Sequence, residues 1–136
     1  MSAKYKPAED LTRSFQPCQI VCLEHKTTYL YAEIVQIVES RQVCWVRPLA
    51  LIEENRKTAV SYQEDVNKLT LYDLRCGSDL LLPTMLFRVA LDTEVVPLLN
   101  KLYPLENGTQ DPKTISGHQK LNQFIREICL ADPKMF

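Results

Sequence analysis

Along the first two thirds of the chain apolar residues alternate with polar ones at a period of two, and beyond Leu91 they recur every three or four positions. Strands therefore come first and helices last. The stretch Gln19 to Ile52, QIVCLEHKTTYLYAEIVQIVESRQVCWVRPLALI, predicts three successive strands of one small antiparallel sheet. Ile20, Val21, Cys22 and Leu23 form an unbroken apolar run ended by Glu24-His25-Lys26, the pattern of a strand covered on both faces. From Tyr29 to Glu39 the pattern shifts partway. Leu30, Ala32 and Ile34 share one face until Val35 and Ile37 bring apolar character to the other. One extra residue in a strand exchanges its faces, so this phase change predicts a bulge or a strong bend.

Ser40-Arg41 is a short polar connection, after which Val43, Trp45 and the stem of Arg47 resume alternation. Pro48 removes a ladder donor and predicts an edge or a kink, with Leu49 and Leu51 continuing the face of Trp45. Glu53 to Lys68 reads as a long polar loop, Leu69 to Leu74 as a fourth strand, and Asp79 to Pro83 as a buried fifth. Phe15, Phe87 and Leu91 are expected as core anchors.

Asp92 or Thr93 is placed to cap a helix in which Val95, Leu98, Leu99 and Leu102 make an apolar stripe, broadened by Val96 and Tyr103 and ended by Pro104. A last helix starting at Thr114 or Ser116 carries Leu121, Phe124, Ile125, Ile128 and Cys129 on one face. The expected fold is thus mostly β with C-terminal helices (α+β). Residues 1–16 form a flexible arm, 17–83 an SH3-like small antiparallel β-barrel, and 84–136 a helical cover of the same globular unit.

Composition narrows the function more than it names one. At 136 residues the chain has the length of one domain and can bury a core without staples. Sixteen basic against seventeen acidic residues give no global field toward nucleic acid or anionic lipid. The first residues, MSAKYKPAEDLTRSFQP, lack the apolar stretch of a secretory signal, and no run approaches the roughly 18 apolar residues that span a bilayer. Five cysteines, an odd number, then read as reduced thiols in a cytoplasmic protein.

Chemistry-bearing clusters are sparse. Cys18, Cys22 and His25, with Cys44 and Cys76 as further ligands, lack the compact spacing of a structural zinc site, and buried thiols acting as small hydrophobes fit better. Neither His25 nor His118 stands beside a marked thiol, and no phosphate loop, nucleophile elbow or acid–base pair is present. The expectation is a protein that is not an enzyme and needs no metal or cofactor.

Aromatic residues carry the positive expectation. Tyr29 and Tyr31 lie opposite Leu30, Ala32 and Ile34; if the latter are core, both tyrosines face outward toward a partner, while Trp45, Tyr62 and Tyr72 add to the aromatic set. The partner-binding residues expected are Tyr29, Tyr31, Trp45 and Arg47 on the sheet, with Arg88, Asp92 and Glu94 on the rim where barrel and helices meet. The Val95 to Tyr103 stripe either covers the barrel, completes a homodimer or receives a partner segment. A nucleic-acid surface using Arg41, Arg47, Arg56 and Lys57 is interrupted by Glu33, Glu39, Glu53 and Glu54.

Two blocks, SRQVCWVRPLAL and SDLLLPTMLFRVALDTEVVPLL, resemble a family of small uncharacterised cyanobacterial proteins. The resemblance covers roughly residues 16–104, excluding the Glu53 to Lys68 loop, and supplies no catalytic residues. It implies an accessory protein of a photosynthetic cell, with an assembly or regulatory role in photosynthesis or carbon fixation. The function expected is a non-enzymatic protein-binding module, an adaptor or assembly chaperone holding a segment of another protein. A nucleic-acid-binding regulator and a thiol-dependent or metal-binding protein are the alternatives.

Overall fold

The computed structural model describes residues 15–54, 69–102 and 112–135. Six strands form one antiparallel sheet: β1 (Ile20–His25), β2 (Thr28–Val38), β3 (Val43–Glu54), β4 (Leu69–Asp73), β5 (Leu80–Pro83) and β6 (Arg88–Val89). They are followed by helices α1 (Asp92–Leu102) and α2 (Pro112–Ala131). The pairing path runs β4-β3-β2-β1-β6, with β5 also on β3. β4 pairs Ala50 to Glu54 of β3 and β5 pairs Val43 to Val46, so together they occupy one edge of β3 as a single interrupted strand. A 3₁₀ turn, Thr84–Leu86, then carries the chain to β6, which pairs with β1 at the other end of the path. No pairing among the described residues joins the two ends, and the sheet is open.

The phase change in β2 is a bulge. Register shifts between Ile34 and Gln36, leaving Val35 as the extra residue, and Ile37 consequently packs on the same core as Leu30, Ala32 and Ile34. A second shift, between Tyr31 and Ala32, inserts Leu49 into β3 beside Pro48. Pro48 is the expected kink. It is nevertheless fully buried within the strand, and the extra residue beside it moves Leu51 away from the face of Trp45 into the core of Cys44 and Val46. The β2–β3 connection ends on Gln42 in the left-handed region at φ 58°, where a side chain is costly and a sharp reversal is gained.

Each face of the sheet is covered by a different helix. On one side Leu121, Phe124 and Ile128 of α2 close over Val21, Leu23, Leu30, Ile34, Val46, Leu51 and Leu74. Each fully buried Leu or Val there contributes on the order of 1.5–3 kcal/mol. α2 approaches β4 closely because Gly117 has no side chain: a Cβ there would lie 3.1 Å from Tyr72 Cβ and 3.3 Å from Leu74 Cδ2. On the other side Leu98 and Leu102 of α1, with Val95 packed beside them, cover Cys22, Tyr31 and Ala50.

Several expectations change with this arrangement. Phe15 and Phe87 are core residues, but Leu91 and Val96 are 60% and 56% exposed. Arg88–Val89, expected within the helical cover, is a strand, and α2 begins at Pro112 rather than at Thr114 or Ser116. Residues 1–14 of the arm, the loop from 55 to 68, Tyr103 and Pro104 lie outside the described residues.

Candidate functional site

Of the seven residues singled out by sequence, four form a buried group under α1, two form an open group on β3, and Asp92 belongs to neither. In the buried group the antiparallel register aligns Tyr31 of β2, Cys22 of β1 and Arg88 of β6 in one row across three strands. α1 lowers Glu94 onto that row. The Tyr31 hydroxyl donates to Glu94 Oε2 at 3.0 Å, and Arg88 donates from both terminal nitrogens to the two carboxylate oxygens at 2.9 and 2.8 Å. The Leu91 backbone N–H donates to Glu94 Oε1 at 2.8 Å, so the carboxylate reaches back three residues and caps its own helix. Neither Asp92 nor Thr93 performs that role. Arg88 also stands 3.6 Å from Glu24.

Charge and burial set the protonation states of this row. Hydrogen bonds from Arg88, aided by those from Leu91 and Tyr31, outweigh burial and hold the Glu94 carboxyl down at about 2. The same bonds raise Arg88. Burial pushes the Cys22 thiol up to about 12, and burial together with the neighbouring Cys22 and Glu94 raises Tyr31. A thiol held neutral is a poor nucleophile and a poor metal ligand. The group is a structural pin for the start of α1. At its other end Arg75 donates to the Leu102 carbonyl at 2.9 Å and to Asp73 at 2.8 and 3.0 Å, so α1 is fastened to the sheet at both termini.

The expected solvent-facing tyrosines are thereby corrected. Tyr31 is 6% exposed and Tyr29 half-buried in the same cluster, because α1 lies across the sheet face rather than over the end of a barrel. Asp92 is exposed in the first turn of α1.

Trp45 and Arg47 form the open group. Alternation in β3 sends Cys44 and Val46 into the α2 core and Trp45 and Arg47 to the opposite face, at a part of the sheet that α1 leaves open. Trp45 is 43% exposed, and its partner across β5 is Leu81, 57% exposed. Val43 and Pro83 are the next pair on this face and are half-buried. Arg47 reaches Asp79 at 3.3 Å, which anchors the start of β5 against β3.

Leu81 was the residue missed. The run Leu80-Leu81-Leu82 reads as wholly buried, yet strand alternation requires one of the three to face away from the other two.

The thiol and histidine candidates are dispersed. Cys22 and Cys44 occupy opposite faces of the sheet, Cys18 and Cys76 are exposed, and His25 meets Phe124 edge to face on the α2 side. Among the described residues no three His, Cys, Asp or Glu side chains converge as a metal site. Arg41 is exposed, while Arg56, Lys57 and Tyr62 lie outside the described residues. No described helix is long and apolar enough to cross a membrane.

No family model, curated protein or solved structure matches the chain. Its class is therefore given by its own architecture, an α+β unit in which an open antiparallel sheet lies between two C-terminal helices.

Proposed function

We propose that the chain is a non-enzymatic protein-binding module, an adaptor or assembly chaperone that holds a segment of another protein on the open face of β3 and β5. One observation carries the reading. Trp45 and Leu81 stand side by side, exposed on the sheet, while every other aromatic ring of the described β-strands is at least half-buried. An exposed Trp beside an exposed Leu on a sheet face supports this reading, because Trp is among the residues most enriched as anchors of protein interfaces. The strand order supports an SH3-like description of the sheet, since β4 and β5 share one edge of β3 and a 3₁₀ turn leads to a last strand on β1. The cellular setting implied by the sequence resemblance is a photosynthetic one.

Affinity purification from the native cell, comparing wild type with Trp45→Glu, tests the proposal. A discrete protein recovered by wild type and lost with Trp45→Glu supports it. Recovery of RNA or DNA in place of protein, or a protein partner indifferent to Trp45, refutes it.

A further inference from the structure

β5 is bonded to β3 along one side, and its other side has no neighbouring strand among the described residues. The backbone phase of β5 follows from one hydrogen bond just beyond its end: the Thr84 N–H donates to the Gln42 carbonyl at 3.1 Å. Antiparallel ladders alternate between pairs that exchange hydrogen bonds and pairs that do not. Thr84 opposite Gln42 fixes Leu82 with Cys44 and Leu80 with Val46 as bonded pairs, and Leu81 with Trp45 as a non-bonded one. Two consequences meet at Leu81. Its N–H and C=O point away from β3, and its side chain stands beside Trp45 at the closest cross-strand spacing.

Native sheets protect such edges with charge, proline, a bulge or a very short strand. Here the edge is four residues long, Leu-Leu-Leu-Pro; it carries no charge, and Pro83 lies at its end, so the outward-facing N–H it leaves is that of Leu81. The exposed apolar side chains on this face are Trp45 and Leu81, at 43% and 57%, too few for the roughly 800 Å² per partner that docking of a second folded copy requires. A single extended segment fits both the backbone and the area.

We infer that β5 is the docking edge of this protein, accepting an extended segment of a partner as an added strand. The partner's backbone pairs with the Leu81 N–H and C=O, and an apolar side chain rests on Trp45 and Leu81. This rests on the protein-binding reading above and specifies its mode. The segment it selects is short, unbranched by proline at the position opposite Leu81, and apolar at alternate positions.

Residue-resolved amide hydrogen exchange of the full chain tests it, using as probe a synthetic strand peptide of alternating Val and Thr capped with Lys. Without peptide, Leu81 should exchange about tenfold or more faster than Leu80 and Leu82. With peptide, Leu81 should slow by about tenfold, while the same peptide N-methylated at every amide, so that neither of its edges can pair, leaves it unchanged. Leu81→Pro removes the donor and risks unfolding. Leu81→Lys keeps the N–H, places a charge on the edge, and should abolish peptide-induced protection of residue 81 with an unchanged circular dichroism spectrum.

Protection of Leu81 before peptide is added overturns the inference, as does protection that rises with protein concentration, which would mean pairing of two copies. Equal protection by the N-methylated peptide also overturns it. If a partner is captured through Trp45 while Leu81 stays unprotected in its presence, binding stands and the edge mode falls.

Discussion

Replacing Glu94 by Gln removes one charge from a carboxylate that serves Arg88, Tyr31 and the Leu91 N–H at once. The folded carboxyl lies at about 2 against an ordinary 4.5. Unscreened, a depression of that size corresponds to about 3 kcal/mol. Arg88 is 41% exposed, however, so water screens the pair and about 1–2 kcal/mol is the expected loss for Glu94→Gln at neutral pH. Folding lowers this pKa, so the contribution is complete above 4.5 and disappears as pH falls toward about 2. Urea unfolding of wild type and Glu94→Gln across pH 7 to pH 3 should therefore show a gap that is widest at neutral pH and narrows below 4.5. A gap within about 0.3 kcal/mol at pH 7, or one that stays constant through the acid range, would refute the pinning of α1 by this carboxylate.

Other expectations follow from the same geometry. Cys18 and Cys76 should be alkylated rapidly in the native protein, while Cys22 and Cys44, buried and with raised pKa values, react only on unfolding; mass spectrometry of timed iodoacetamide reactions counts them. Gly117→Leu forces a side chain between α2 and β4 and should cost about 2–3 kcal/mol in urea unfolding, because Tyr72 and Leu74 already stand within 3.3 Å of a Cβ there. Trp45, the one tryptophan of the chain, should emit as a solvated indole and be quenched by iodide in the folded state.

Much of the sheet was legible because it depends on alternation within single strands. Val35 announced its bulge through the shift from Ile34 to Ile37, and Pro48 announced the kink that Leu49 completes. What escaped were consequences of pairing between distant elements. The unbroken run Val21-Cys22-Leu23 already required cover on both faces of β1, and Tyr31 sits directly beside Cys22, so Tyr31 had to be covered too. A tyrosine alone does not reveal this, since its ring accepts burial only if the hydroxyl finds a partner. Here that partner is Glu94, 63 residues away. Leu91 was misplaced for a related reason. Glu94 caps α1 through the backbone of Leu91, which frees the Leu91 side chain to point outward.

Arg88 and Glu94 were recognised as neighbours of the sheet–helix junction, but as a rim for a partner rather than as each other's partner. The two are joined by a bidentate pair, with the Arg88 side chain 41% exposed. Trp45 is exposed because its face of β3 lies beyond the part of the sheet that α1 covers.

The proposed role places a partner protein on the Trp45–Leu81 face. Photo-crosslinking in the native cell tests it most directly, with the reactive residue placed at Gln36, the exposed neighbour of Trp45 on β2, and separately at Leu130, 75% exposed on α2. A discrete protein adduct is expected from position 36 and none from position 130. Adducts from position 130 alone, or equally from both, would contradict it.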